Sequence, residues 1–251
     1  MNDYKYFIRS GWPGTVQNPR PIGVQLLKMV DALSLIDPVF SDWGIGDALL
    51  EDWVPLTKAR QNITDIVEHD IWHDDYGKPN AFDGGYKILA RNDLYGGDEA
   101  KPTGVNLRIT AGSNWHNEAN IDTGGYHFPT HPSIVTYPIF KAALLAVIAA
   151  WPCAWANAGA FKSDYWEHSD APGEAPMPYS IYHLSWMAYL SAERSAKLTP
   201  PAGVTWERTP DGGLLLIAAE ERFDPANPLH IRRSRAIVNF MIAQLGDPPK
   251  L

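Results

Sequence analysis

The residues best suited to chemistry gather in two acidic stretches. The first is Glu68-His69-Asp70-Ile71-Trp72-His73-Asp74-Asp75. Two histidines four positions apart can share a helix face and hold zinc, with a neighbouring carboxylate as general base. That chemistry wants glutamate directly after the first histidine. Asp70 stands there instead, and Tyr76-Gly77-Lys78-Pro79 follows at once, so the helix need not reach His73. A solvated acidic loop at a helix end accounts for the same residues, and a metal-dependent hydrolase using His69 and His73 is the competing reading. The second stretch is Asp164-Tyr165-Trp166-Glu167-His168-Ser169-Asp170. A carboxylate pair works as acid and base only at a defined separation, and nothing in this stretch fixes one. Glu220-Glu221 with Arg222 reads as surface charge or a local ion pair.

Nucleophiles and phosphate loops are as scarce. Cys153 is the only cysteine, which excludes an intrachain disulfide. Its neighbours Pro152 and Ala154 lack the electropositive setting of a reactive thiolate, so it reads as a small core residue. No serine lies in a Gly-x-Ser-x-Gly setting, and the glycine doublets at 84–85, 96–97, 124–125 and 212–213 lack phosphate-loop spacing. The expectation is therefore no catalytic residue, no metal and no cofactor. Aromatic residues are more suggestive than acid–base groups. Among ten tryptophans, Trp72, Trp115 and Trp166 fall in polar loops and are candidate interface anchors.

The elements that position these loops centre on one helix. Pro138 to Trp151 carries Lys141 as its only charge, and Pro152 stops it. Its alanines and leucines favour helix, and Pro138 suits a first position. A helix apolar on every face calls for cover on every face. At ~21 Å it is too short for a bilayer core of about 30 Å. It therefore predicts a central buried helix rather than a membrane span.

Earlier in the chain, Tyr4 to Ser10 reads as a strand and about Pro21 to Ile36 as a helix buried through Leu26, Val30 and Leu33. A second helix near Pro55 buries Leu56, Ala59, Ile63, Ile66 and Val67. Tyr86 to Arg91, Val105 to Ala111 and Glu118 to Asp122 form a meander with one wet face. After the central helix, strands are expected at Ala154 to Ala158 and Leu184 to Leu190. Lys162 to Pro178 is a long polar loop of the kind that often carries function. Pro210-Asp211-Gly212-Gly213 marks a hairpin. Asn227 caps a last helix, with Ile231, Val238, Ile242 and Leu245 as its buried stripe. Helices and hairpins are interspersed without βαβ alternation. That predicts an α+β fold in a single domain over residues 1–251: an antiparallel sheet packed with about four helices.

The formal net charge of −8 disfavours direct nucleic-acid binding, which needs a basic stripe. It suits a basic partner. Met1 to Tyr6 shows no basic region followed by an apolar run, so no signal peptide and a cytoplasmic location are expected.

An ordered set of segments carries a family resemblance. It comprises Leu33-Ser34-Leu35-Ile36-Asp37-Pro38-Val39-Phe40-Ser41-Asp42-Trp43, Ser185 to Ser191, Pro200 to Val204, Pro210 to Leu215, Phe223-Asp224 and Asn227-Pro228. Together they resemble the immunity protein 52 family of bacterial polymorphic toxin systems over nearly the whole chain. The resemblance implies a non-enzymatic antidote to a restriction-endonuclease-like toxin, a type VI secretion effector that attacks DNA. It supplies no catalytic residues. The toxin contact is expected on the acidic aromatic loops: Glu68, Asp70, Trp72, Asp74 and Asp75, then Asp164, Trp166, Glu167 and Asp170.

Overall fold

Strand β1 (Tyr4–Pro13) lies inside the sheet, although it comes first in the chain. In the computed structural model, which describes residues 4–47, 52–92, 104–123, 132–162 and 184–245, it pairs with two strands distant in sequence. These are β6 (His116–Thr123) and β7 (Trp155–Lys162), both antiparallel. The other strands are β2 (Gly44–Asp47), β3 (Asp52–Pro55), β4 (Tyr86–Arg91), β5 (Val105–Ala111), β8 (Ser185–Leu190), β9 (Thr205–Arg208) and β10 (Leu214–Ile217). They form one ten-stranded sheet in the order β3-β2-β4-β5-β6-β1-β7-β8-β10-β9.

The helices are α1 (Pro19–Ser34), α2 (Leu56–Ala59), α3 (Ile63–His69), α4 (Ala81–Gly84), α5 (Tyr137–Ala150), α6 (Ala192–Ser195) and α7 (Pro228–Leu245). The architecture is α+β as expected, but four helices is an undercount. The expected second helix is divided into α2 and α3 by a tighter turn at Arg60–Asn62, and two single-turn helices, α4 and α6, are added. They are too short to leave an amphipathic period in the sequence. The hairpin of β2 with β3 at one sheet edge was also not expected, since Gly44-Ile45-Gly46-Asp47 shows no alternation of apolar and polar residues.

The apolar helix α5 departs from the expected central position. It packs against α1 and the sheet, with Phe140, Ala143, Leu144 and Val147 buried. Pro138 and Ala149 are exposed, and Lys141, Ala142 and Leu145 are half-buried. Alanine carries little apolar surface, so an alanine-rich edge tolerates water without requiring cover on every side. Two bonds tie this helix to its surroundings. The Lys28 ammonium donates to the Ala149 carbonyl at 2.6 Å, where the helix dipole favours a cation. Lys141 pairs with Glu207 at 2.7 Å.

The core runs between this helical layer and the sheet. Trp186 is fully buried, stacks on Phe140 at 5.3 Å and meets Tyr6 edge-on at 6.2 Å. Its indole N–H donates to the Ala219 carbonyl at 2.9 Å, which removes the penalty of a buried unpaired donor. Trp12 stacks on Trp151 at 5.2 Å. The α1 face is as expected, and Leu56, Ala59, Ile63, Ile66 and Val67 are all buried. The α7 stripe is rotated: His230, Ser234, Ile237, Val238 and Met241 face inward, while Ile231, Ile242 and Leu245 are half-buried. His230 draws the helix round. Its ring stacks on Phe223, Nδ1 accepts the Asp224 N–H, and Nε2 meets Glu221.

Cys153 is buried as expected of a core residue, and burial pushes its thiol up to about 12. No helix among the described residues is long and apolar enough to cross a membrane.

Candidate functional site

Strand direction decides which loops are neighbours. β4 begins at Tyr86 opposite Ala111, β6 begins at His116 opposite Pro13, and β7 begins at Trp155 opposite Gly11. The segments before these strands therefore meet at one end of the sheet. Residues 70–85 and 112–115 lie there with the turn after β1. Lys162 and Ser185, which bracket residues 163–183, lie at the opposite end, where Tyr4 pairs with Lys162. The two acidic stretches thus attach at opposite ends. Asp164, Trp166, Glu167 and Asp170 fall outside the described residues.

The first stretch is an ordered acidic loop. Helix α3 ends at His69, and Asp70 is its C-terminal cap, donating its N–H to the Ile66 carbonyl at 3.1 Å. His73 lies beyond the helix, in an isolated bridge to Pro79. The two histidines therefore do not share a helix face. Among the described residues, no group of three or more His, Cys, Asp or Glu is placed to hold a metal ion.

Trp72 and Asp74 serve the loop itself. Trp72 donates its backbone N–H to Gly85 and accepts from Asn80. Its ring occupies the space left by Gly84, where a Cβ would fall 2.2 Å from the indole, and Lys87 lies 5.7 Å over it. Asp74 accepts the Tyr76 and Lys78 N–H groups, both at 2.9 Å, closing a turn with its own side chain. Glu68 and Asp75 are exposed.

A second unit at this end joins Trp115, a candidate interface anchor, to residues that the expected toxin contact did not include. Asp83 sits on the single turn α4, and its carboxylate accepts from the Asn80 amide at 2.7 Å and from the Trp115 indole N–H at 3.1 Å. Ser113 donates its hydroxyl to the Asp83 carbonyl and accepts the Trp115 backbone N–H at 3.0 Å. Asn114 donates to the Phe82 carbonyl at 2.8 Å. Beneath them, fully buried Asn117 accepts from the Ser113 N–H and donates to the Pro13 and Ser113 carbonyls. Gly14 permits the turn after β1 to close on this unit, because a Cβ there would overlap the Asn114 carbonyl at 1.8 Å. The result is a fixed platform with Phe82 and Trp115 facing water. The sequence signal was present in part: a tryptophan in a polar turn.

Two charged features border the platform. His116 and Glu118 approach to 3.5 Å. The His116 hydrogen bond holds the Glu118 carboxyl below its ordinary value, with burial opposing it. On the other side of Pro13 opens a recess of about 710 Å³ lined by Trp151, Cys153, Tyr189, Glu193 and Asp211. Nothing in this arrangement couples a nucleophile to a base. It offers a rigid, acidic, aromatic surface.

Comparison with known proteins finds a family and a related fold. A family model described as immunity protein 52 matches residues 5–245 of the chain. Among solved structures, Pseudomonas aeruginosa T6SS protein PA0821 is similar, with a TM-score of 0.50 and 10% sequence identity, covering 93% of this chain and 73% of that one. At that identity the likeness is one of fold. No curated protein matches the chain.

Proposed function

The chain belongs to the immunity protein 52 family, and from that membership we propose that it binds a cognate toxin and neutralises it inside the producing cell. The observation that carries this reading is a family match over residues 5–245, nearly the whole chain. The antidote acts by occupying the toxin's surface, with no bond made or broken on itself. We extend the reading to a restriction-endonuclease-like polymorphic toxin delivered by a type VI secretion system. Such a toxin attacks DNA, which places the antidote in the cytoplasm. The fold shared with a T6SS protein fits that setting.

The acidic balance suits this role. A nuclease groove that grips phosphates is basic, and a chain of net charge −8 is steered towards it. Protection from a resident nuclease needs nanomolar binding or better, about −12 kcal/mol. We place the contact on the acidic loops, with Glu68, Asp70, Trp72, Asp74 and Asp75 on one arm and Asp164, Trp166, Glu167 and Asp170 on the other. The strand ends that carry these arms are separated by roughly 25 Å, the length of an eight-residue strand such as β7. A standard interface of about 800 Å² per partner is wide enough to reach across that distance.

The test is co-expression with the toxin encoded beside this gene. Rescue of growth and co-purification of a stable complex are the expected results. A cell that dies of the toxin while holding ample folded antidote overturns the reading.

A further inference from the structure

We propose that Trp115, with Phe82 beside it and Asp83 bonded to its indole, is the anchor by which this end of the molecule grips a basic face of its protein partner. The inference rests on the reading of the chain as a toxin-binding protein and names the surface and partner chemistry involved.

Exposed aromatic side chains gather at this end of the sheet, where Tyr76 is 88% exposed as well. Trp115 is 75% exposed and Phe82 56%, although most large apolar side chains here are buried. Two aromatic side chains left in water on one platform mark a contact surface. Tryptophan is among the residues enriched in binding hot spots.

Order strengthens the argument. A freely rotating surface tryptophan loses conformational freedom when a partner immobilises it. Trp115 is held before any partner arrives, by Asp83 at its indole N–H and by Ser113 at its backbone N–H. Asn117, buried beneath, fixes the turn that carries both. The protein thus spends buried polar groups on presenting one exposed ring.

Charge identifies the occupant. Residues 68–85 and 112–118 hold six carboxylates against one lysine, a net −5 within a chain of net −8. A phosphate-bearing partner is repelled there. An arginine- or lysine-bearing protein face is attracted, and its cations can lie over the indole face while pairing with the surrounding carboxylates. A carboxylate at the indole N–H also pushes electron density onto the ring, which favours a cation above it.

The experiment measures binding of the full chain to an inactive form of the toxin encoded beside its gene, together with growth rescue. Trp115→Ala is expected to weaken binding by about thirtyfold or more, while Trp206→Ala, an exposed tryptophan at the far sheet edge, changes it less than about twofold. Trp115→Phe keeps a ring without the N–H and falls between. Asp83→Asn is expected to weaken binding more at low salt than at high salt. Thermal melts establish that each variant is folded. A folded Trp115→Ala chain that binds as the parent does overturns the anchor while the parent's own binding and rescue leave the immunity reading intact. A parent chain that neither binds nor rescues overturns both.

Discussion

The Tyr189 hydroxyl donates to the Asp211 carboxylate across 2.5 Å and so fastens the β9–β10 turn to the end of β8. The same carboxylate accepts from the Thr209 hydroxyl and the Gly213 N–H. Tyr189 is almost fully buried, so its hydroxyl depends on this acceptor. Asp211→Ala is expected to lower stability by about 1–3 kcal/mol, read as a fall in the urea midpoint at unchanged slope.

The same contact predicts a pH dependence. Partial burial works to raise the Asp211 pKa, but the Thr209, Tyr189 and backbone hydrogen bonds outweigh it and leave the carboxyl below its ordinary value. A depressed folded-state pKa means that the unfolded chain binds the proton first as pH falls. The stabilisation is whole above the ordinary carboxylate range and is lost as pH drops through the folded-state value. Asp211→Asn is expected to flatten this part of the acid limb, checked by urea midpoints across the acidic range.

Trp186 should be the most sensitive core position. Trp186→Ala empties a site packed by Phe140 and Tyr6 and is expected to cost about 3–5 kcal/mol. Trp186→Phe should cost less while leaving the Ala219 carbonyl without its donor. Equal losses in the two variants would contradict the packing account.

Gly84 has no room for a side chain. Gly84→Ala drives a methyl group into the Trp72 ring and is expected to cost about 1–3 kcal/mol. Amide exchange should quicken at Trp72 and Asn80, whose backbone bonds depend on the seat of that ring. Unchanged exchange there would show that the loop has another way to close.

The buried thiol makes a chemical prediction. With its pKa pushed up to about 12, Cys153 holds little thiolate at neutral pH. Native protein should resist iodoacetamide at about pH 8 and react readily once unfolded in guanidinium. Mass spectrometry distinguishes the two states.

Charge on the first acidic arm can be tested without disturbing its fold. Glu68→Lys with Asp75→Lys alters two exposed residues and is expected to slow association with the toxin by about tenfold at low salt, the gap closing as salt rises. Asp74→Lys is a poorer probe, because that carboxylate closes its own turn. Association rates that ignore the double charge reversal would move the contact away from this arm.

Local pattern made part of the fold legible. Tyr86 to Arg91 and Val105 to Ala111 alternate cleanly, and the strands fall there because one face is buried and the other is wet. The faces of α1 and α3 followed from helical spacing. The place of β1 was hidden, since pairing with residues 116–123 and 155–162 leaves no trace in its own ten residues. The α7 register departs from the hydropathic stripe because His230 is held in its buried position by partners at 221–224 that hydropathy does not count. At the candidate surface, the acidic residues of 68–75 were visible. The commitment of Trp72 to Gly84 and of Asp74 to its own turn was not, and neither was the Asp83–Trp115 bond across 32 positions.

The interior place of β1 sets a timetable for synthesis. The ribosome releases this strand before either of its partners, so one of its edges waits for residues 116–123 and the other for residues 155–162. Until then Tyr6, Ile8 and Trp12 have no finished core to enter. A nascent chain halted before β7 exposes an apolar strand with an open edge, which invites pairing with other chains. The sheet closes late in translation, so only completed chains present the platform built around Asp83 and Trp115.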